Sequence, residues 1–202
     1  MRFLTAAGLA RYTGDAEMRI ISGEARGRHL QAPRGAATRP TADHVREALF
    51  NILGSAAGIA VLDLFAGTGA VALEALSRGA ARAVLVDNAE AAVRVIQANV
   101  ATLGYQDRAR VLRLDVLRAL RLLEREGARF DLVFVDPPYE GAAAAATLAA
   151  LGSGSLLAPD GLVVVEHDRW NQPAEQHGIL SLGQRRKYGQ TEVSFYGART
   201  NP

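Results

Sequence analysis

A strand, a tight turn and the start of a helix follow one another in Val61-Leu62-Asp63-Leu64-Phe65-Ala66-Gly67-Thr68-Gly69-Ala70. The first four residues form a short apolar run with one carboxylate, which is typical of a buried parallel strand. Gly67 and Gly69 let the backbone turn tightly and approach a ligand closely. The following residues, Ala70–Leu76, are strong helix formers, and Gly79 stands where a helix-ending glycine belongs. This order predicts a nucleotide-type cofactor site at the carboxyl end of a strand.

The glycine spacing by itself leaves two interpretations open. Gly67-x-Gly69 lacks a third glycine three residues further on, where Ala72 stands, so an ordinary tight turn would also explain it. Asp87 ends the next apolar run roughly 20 residues beyond the glycines, where an acid can bind ribose hydroxyls. Asp87 could instead cap the next helix. Because both features occur in one unit, we favour nucleoside-cofactor binding.

Apolar runs alternate with helical patterns along the rest of the chain. The predicted parallel strands are Val61–Leu64, Ala83–Val86, Arg110–Leu114, Phe130–Val135 and Gly161–Glu166. The predicted helices between them are Ala70–Leu76, Ala91–Leu103, Leu117–Glu126 and Ala142–Leu151. Two further strands, Leu180–Gln184 and Thr191–Tyr196, are expected to form a closing hairpin. This alternation predicts a doubly wound α/β fold with a mostly parallel sheet.

The N-terminal part adds a small appendage to the predicted sheet. Arg19–Gly23 and Arg28–Pro33 flank a glycine-containing turn, which predicts a basic β-hairpin within an extension of residues 18–40. Thr41 or Asp43 is expected to cap the next helix, whose apolar stripe is Val45, Leu49, Ile52 and Leu53. Residues 1–17 show no strong periodicity. We expect them to be a flexible tail, with residues 18–202 forming a single domain.

Composition and charge narrow the class of protein. The 202-residue chain has a net charge of +2 and no cysteine, which excludes disulfides, thiolate metal sites and a cysteine nucleophile. No apolar run is long enough to cross a bilayer and no clear signal-peptide pattern is present, so a cytoplasmic location is expected. Basic residues form one cluster that includes Arg26, Arg28 and Arg39, and a second at Arg185-Arg186-Lys187. Two such clusters favour a polyanionic partner over an ordinary solvated surface.

Three predicted strands are followed by an acid: Asp87, Asp115 and Asp136. In an open α/β sheet these strand ends lie on the same rim as the glycine turn. The most specific of these motifs is Asp136-Pro137-Pro138-Tyr139. Its two prolines fix the backbone and hold a carboxylate, a carbonyl and an aromatic ring at the rim, although many Pro-Pro pairs are simply stiff turns.

Methylation of an exocyclic amine on a nucleobase requires such groups. The nitrogen lone pair is delocalised into the ring, so acceptors such as the Asp136 carboxylate and the Pro137 carbonyl must bind the amine hydrogens. Tyr139 offers a face on which an extruded base can stack. The electrophile would be the sulfonium methyl of S-adenosylmethionine. Catalysis would be largely alignment, and no metal would be required.

The pairing of Asp63–Gly69 with Asp136–Tyr139 resembles the class I S-adenosylmethionine-dependent amino-methyltransferases. More narrowly, the chain resembles the RsmD-type 16S ribosomal RNA guanine-N2 methyltransferases of bacteria. The narrower resemblance lies in Arg19-Ile20-Ile21-Ser22-Gly23, Arg26-Gly27-Arg28, Arg39-Pro40-Thr41, Val45-Arg46-Glu47 and Leu73-Glu74-Ala75-Leu76-Ser77-Arg78-Gly79. The Asp-Pro-Pro-Tyr element alone is shared with adenine-N6 methyltransferases.

The resemblance implies a seven-stranded, Rossmann-like sheet and methyl transfer to one guanine of ribosomal RNA within an assembling small subunit. The cofactor-binding residues it implies are Asp63, Phe65, Gly67, Thr68 and Gly69 for the methionine part, Asp87 and Asn88 for the ribose, and Asp115 and Val116 for the adenine. The residues implied to hold the target base are Asp136, Pro137, Pro138 and Tyr139. We expect RNA to be contacted, through salt-dependent phosphate interactions, by Arg26, Arg28, Arg39, Arg46 and Lys187. A monomer is expected.

Several other functions remain open at this point. A DNA adenine methyltransferase usually needs an added recognition domain, and a glutamine-modifying enzyme usually has Asn in place of Asp136. The incomplete glycine fingerprint argues against a nicotinamide oxidoreductase. A non-catalytic RNA-binding module would keep the basic hairpin but need not keep both rim motifs.

Overall fold

The computed structural model of the protein describes residues 18–32, 40–138 and 142–198, so the expected tail, residues 1–17, lies outside the described residues. The described helices are α1 Pro40–Leu53, α2 Ala70–Ser77, α3 Glu90–Leu103, α4 Val116–Arg125 and α5 Ala142–Ser153. The described strands are β1 Ala60–Leu64, β2 Arg82–Asp87, β3 Ala109–Arg113, β4 Phe130–Val135, β5 Leu157–Asp168, β6 Gln176–His177, β7 Leu180–Tyr188 and β8 Thr191–Ala198. None of the described helices is long and apolar enough to span a membrane.

The strands form one sheet in the order β3-β2-β1-β4-β5-β8-β7-β6. Neighbours among β1 to β5 pair in parallel, whereas β5–β8, β8–β7 and β7–β6 pair antiparallel. The predicted doubly wound, mostly parallel sheet with a closing hairpin is therefore confirmed. Within the described residues the sheet has eight strands, because the two-residue strand β6 pairs with β7 at the edge beyond the expected seven. The edge at which β1 to β5 end is called the carboxyl rim below.

Two hydrophobic cores lie on opposite faces of the sheet, because successive strand residues point to opposite sides. Val61 faces one core, which contains α1, α2 and α3 side chains such as Leu49, Leu73 and Ile96. Leu62 faces the other, which contains α4 and α5 side chains such as Leu123. Both faces of the parallel strands are covered, which accounts for their nearly continuous apolar sequence.

The start of β5 differs from the prediction. The strand begins at Leu157 rather than at Gly161, so the expected turn at Pro159–Gly161 lies inside the strand. Asp160 has a positive φ of 62°, and the register of β5 against β4 shifts between Phe130 and Leu132. The turn-forming residues thus make an irregularity within a strand, which sequence pattern does not distinguish from a strand end.

The N-terminal segment, residues 18–32, forms only a minimal version of the predicted β-hairpin. One antiparallel bridge joins Arg19 to His29, and backbone hydrogen bonds of 2.8 and 3.0 Å between the two arms lie on either side of it. The arms do not pair further, because the next backbone donors bond to α2. The Ile21 and Ser22 N–H groups donate to the Glu74 carboxylate at 2.7 and 2.9 Å. The segment is therefore an irregular strap held on α2 by polar contacts.

Helix α1 starts earlier than expected. It begins at Pro40, so Thr41 lies inside the first turn and is not a preceding cap. Proline fits a first helical position because its missing N–H would have no partner there. Phe50 is buried while Ile52 is 38% exposed, so the predicted apolar stripe was wrong in part.

Candidate active site

The turn after β1 has the backbone geometry that its glycines predict. Phe65, Gly67 and Gly69 have positive φ angles of 63°, 57° and 78°. The Gly69 N–H donates to the Ala66 carbonyl at 2.7 Å, and Gly69 then accepts from the first turn of α2. A Cβ at position 69 would lie 2.8 Å from Leu85 Cδ2, so a side chain there would displace β2 packing. Gly69 thus shapes the turn, and Gly67 faces open space.

Asp87 braces this turn from the end of the neighbouring strand. Its Oδ2 accepts from the Gly67 N–H and its Oδ1 accepts from the Ala89 N–H, each at 2.9 Å. The alternative in which Asp87 only caps a helix is wrong, because Ala89 is the N-cap residue of α3. A carboxylate has about four acceptor sites, so these two bonds leave capacity for ribose hydroxyls. The exposed Asn88 lies beside it.

Asp63 is a buried carboxylate behind the turn, 2% exposed, and its Oδ2 accepts from the Ala72 N–H at 3.2 Å. Burial raises the pKa of Asp63 to about 7; the Ala72 hydrogen bond opposes the shift, and the nearby charges of Asp136 and Asp87 add to it. The charges of Asp136 and Asp87 therefore both act on Asp63 at the carboxyl rim. A ligand that carries positive charge would relieve this repulsion.

The two sequence motifs meet at one cavity of about 180 Å³. Its lining includes five of the residues predicted to bind the cofactor or the target base: Asp63, Phe65, Gly67, Thr68 and Asp136. Asp136 is exposed, so a macromolecular substrate can reach its carboxylate. Pro137 and Pro138 line a small adjoining recess. Tyr139 lies outside the described residues.

The predicted adenine-binding residues do not line this cavity. Asp115 follows β3 on the same rim, and its Oδ1 accepts from the N–H groups of Leu117 and Arg118 at 3.1 and 3.3 Å, which caps α4. The Val116 side chain is buried in the core beneath α4. The placement of Asp115 and Val116 beside the adenine of a cofactor stays a prediction. One of the two Asp115 carboxylate oxygens already caps α4 and is therefore occupied.

Arg46 is not on the surface that was expected to face RNA. It is 3% exposed, its Nη2 donates to the Arg19 carbonyl at 2.7 Å, and its Nε lies 3.8 Å from Glu74 Oε2. The prediction was wrong because Arg46 lies on the buried side of α1. Arg46 also lines the cavity, so this residue belongs to the site and not to an outer RNA surface.

Arg26 and Arg28 are exposed, as expected, but they lie far from the carboxyl rim. The preceding Glu24 bonds through its N–H to the last residue of α2, and the Arg28 Nη2 donates to the Thr102 carbonyl near the end of α3. Because α2 starts at the rim and has eight residues, the two arginines are separated from it by roughly 12 Å. Arg39 lies outside the described residues.

Lys187 lies at the carboxyl rim and is well exposed. Glu192 pairs with His167 of β5 on one side and with Lys187 of β7 on the other. The Lys187 side chain is 79% exposed, with its ammonium 3.5 Å from Glu192 Oε1. Of the predicted RNA-contacting residues that the structure describes as exposed, Lys187 is therefore the one at the edge that carries the site.

Sequence reasoning missed several residues that build the site. Glu166, near the end of β5, and Met18, from the strap, both line the cavity. Asn99 is fully buried and donates from Nδ2 to the carbonyls of Gln31 and Thr68, each at 3.0 Å. The acid near the end of β5 could have been recognised as a further rim carboxylate. Nothing in the helix pattern marks Asn99.

A glycine turn and Asp136 at one cavity on this sheet define a Rossmann-like methyltransferase fold. A family model described as conserved hypothetical protein 95 matches residues 18–197, and the chain belongs to this family. The chain is 37% identical over 186 residues to ribosomal RNA small subunit methyltransferase D of Escherichia coli (strain K12), covering 92% of each protein. It is 39% identical over 183 residues to the candidate rRNA methyltransferase YlbH of Bacillus subtilis (strain 168), covering 90% of this chain and 100% of that protein.

A solved structure gives the same result. The chain superposes on the candidate methyltransferase yhhF from Escherichia coli with a TM-score of 0.78 and 35% identity, covering 92% of this chain and 99% of that one. The resemblance to the RsmD-type family, drawn from the sequence motifs, is therefore confirmed.

Proposed function

We propose that the protein is an S-adenosylmethionine-dependent methyltransferase that methylates the exocyclic N2 amine of a guanine in small-subunit ribosomal RNA. The observation that carries this proposal is the cavity lined by both the glycine turn and Asp136. Relatives that are named as ribosomal RNA methyltransferases support the substrate class. The choice of guanine N2 rests on the family resemblance.

The residues at the cavity fit the cofactor. Asp63 and Asp136, with Asp87 nearby, make the site negative, and S-adenosylmethionine carries a sulfonium and an ammonium group. The open space beside Gly67 permits close approach of a ligand to the backbone. Asp87 would accept from the ribose hydroxyls, and Asp115 and Val116 would lie towards the adenine. When bound there, the cofactor would supply an electrophilic methyl group.

Asp136 and Pro137 would activate the target nitrogen. Their carboxylate and carbonyl oxygens would accept the two N2 hydrogens, which draws the lone pair out of the ring and towards the methyl carbon. The bound cofactor would supply the methyl group to this nitrogen, and its sulfur would keep the electron pair of the cleaved C–S bond. The surplus proton on N2 leaves towards the Asp136 carboxylate or water. Pro138 would keep the backbone of this segment rigid, and the Tyr139 ring would stack on the target base.

We further propose an assembly state for the substrate and an oligomeric state for the enzyme. The substrate would be an assembling small subunit in the cytoplasm, and residues 18–202 would act as one monomeric methyltransferase domain without a metal. Lys187 would contact phosphates near the site, while Arg26, Arg28 and Arg39 would contact more distant parts of a large RNA.

The direct test measures methyl transfer from labelled S-adenosylmethionine to small ribosomal subunits that lack their modifications, with product nucleosides separated afterwards. Label in N2-methylguanosine is expected. Asp136→Ala should bind the cofactor as the wild type does and transfer no methyl. Asp107→Ala is the matched control, because Asp107 is an exposed acid in the α3–β3 turn at the opposite end of the sheet.

Other outcomes would replace parts of the proposal. Label in N6-methyladenosine would keep the mechanism and change the target base. Unchanged transfer by Asp136→Ala would remove this carboxylate from the mechanism. Cofactor binding without transfer to any RNA would favour a protein substrate or a non-catalytic role.

A further inference from the structure

Trp170 is the one tryptophan of the chain, and it is 78% exposed. It stands two residues after the end of β5, at the carboxyl rim. Tryptophan presents the largest aromatic surface of any side chain, and it is enriched at interfaces, where part of the ring is covered and part stays wet. The active-site chemistry described above makes no use of it.

The turn that carries Trp170 is tightly organised. Asp168 Oδ1 accepts from the N–H groups of Trp170 and Asn171 at 2.7 and 2.9 Å, and Asp168 Oδ2 accepts from Asn171 Nδ2 at 2.8 Å. The Arg169 N–H also bonds to the Gln190 carbonyl in the β7–β8 turn. The backbone of Trp170 is therefore held in place at the end of β5.

Sheet order places Trp170 between the target-base motif, Asp136-Pro137-Pro138, and the cationic side chain of Lys187. Along the carboxyl rim, β4 carries Asp136, β5 carries Trp170, β8 follows, and β7 carries Lys187. The segments that carry the first two meet at a small recess, which Pro137 and Pro138 line together with Asp168 and Asn171 of the Trp170 turn. An RNA strand that leaves the target site towards Lys187 would cross the indole.

The surroundings of the ring suit a nucleotide better than an apolar protein surface. The Arg169 guanidinium carbon lies 4.1 Å from the ring centroid and covers part of the indole. The adjoining turn residues Asp168 and Asn171 are polar. An aromatic ring paired with a guanidinium beside it is how single-stranded nucleic acid is held, by base stacking and phosphate attraction.

We propose that Trp170 is a stacking platform for a nucleobase of the single-stranded RNA segment that flanks the target base. This inference rests on the proposed RNA substrate and deepens it, because it assigns a substrate-positioning residue beside the reacting amine. Stacking is sequence tolerant, so Trp170 would hold the RNA strand in register without reading its sequence.

The lone tryptophan makes the contact directly observable. The full chain is titrated with a single-stranded RNA of about ten nucleotides that contains one guanine, at low salt, while intrinsic tryptophan fluorescence is recorded. Stacking of a base on the indole is expected to quench the emission in a saturable manner. A parallel anisotropy titration with labelled RNA gives the affinity independently of the tryptophan.

Three variants separate stacking from shape. Trp170→Leu keeps an apolar side chain without a π face and should weaken RNA binding by about 5- to 100-fold, as expected for the loss of one base–aromatic stack. Trp170→Ala should behave alike, and Trp170→Phe should recover most of the affinity. Because the side chain is exposed, the melting temperature and the affinity for S-adenosylmethionine should not change in any of them.

The results show whether RNA or a protein binds at the Trp170 indole. RNA affinity of Trp170→Leu equal to the wild type, or RNA binding without any change in emission, would overturn the inference. Emission that responds to a ribosomal protein and not to RNA would assign the indole to a protein partner and also overturn it. Wild-type methyl transfer is measured in parallel. Stacking without transfer would refute the proposed function alone, and transfer without stacking would refute this inference alone.

Discussion

Glu74 is expected to be the residue on which the attachment of the strap depends. Its fully buried carboxylate accepts from the N–H groups of Ile21 and Ser22 and from Arg78 Nε at 2.7 Å, with the Arg46 guanidinium 3.8 Å away. Glu74→Ala removes all of these acceptors at once. The strap's backbone donors would then lie in a partly buried place with no acceptor.

The size of the loss follows from these contacts. Each buried donor left without an acceptor costs about 1–3 kcal/mol, and loss of one partner of a buried ion pair costs about 3–5 kcal/mol. Because relaxation and water entry recover part of this, we expect Glu74→Ala to lower the free energy of unfolding by about 3–5 kcal/mol. A domain of this size has only about 5–15 kcal/mol in total.

Urea unfolding followed by circular dichroism measures this loss, and trypsin reports on the strap itself. Cleavage after Arg26 and Arg28 should accelerate when the strap is released. The control is Glu90→Ala, whose carboxylate is 53% exposed and pairs with Arg94 and Arg113 on the surface. That change should cost less than about 1 kcal/mol. Equal losses in the two variants, with unchanged trypsin cleavage, would refute the reasoning.

The remaining predictions concern the cofactor site and the RNA surface. Since burial raises the pKa of Asp63 to about 7, and a cationic cofactor favours its ionised form, cofactor affinity measured by calorimetry should rise between about pH 6 and pH 8. Gly69→Ala should reduce thermal stability and cofactor affinity, because its Cβ would lie 2.8 Å from Leu85 Cδ2. Arg26→Ala with Arg28→Ala should reduce the slope of log affinity against log salt for ribosomal RNA by about 1.5.

Each of these predictions has a matched control. Asp63→Asn should abolish the pH dependence, and a dependence that persists in it would assign the titration to another group. Gly67→Ala introduces a Cβ whose nearest contact is at 4.0 Å, so it should leave the packing of β2 intact. Equal stability losses in the two alanine variants would show that backbone strain, and not the Leu85 contact, is decisive. If the slope of log affinity against log salt does not change in the double variant, Arg26 and Arg28 do not contact RNA phosphates.

Local patterns predicted most of the elements correctly. Phe130–Val135 is a strand with the predicted bounds, and α3 ends at the predicted residue with Gly104 in a left-handed conformation. Both features depend on chemistry within a few residues: an apolar run, and a glycine that tolerates positive φ. In the strap only one bridge of the predicted hairpin forms, because the donors of Ile21 and Ala25 bond to Glu74 and Ser77, more than 50 residues away.

The same distinction holds for the candidate site. The amino-acid sequence by itself determined the alternation of strands and helices, the glycine turn and the Asp136-Pro137-Pro138 motif, because each is encoded by neighbouring residues. The tertiary structure alone decided that Asp136 and the glycine turn share one cavity, that Arg46 is buried, and that Trp170 stands exposed beside the target-base motif. These facts depend on sheet order and on burial, which are set by contacts between distant residues.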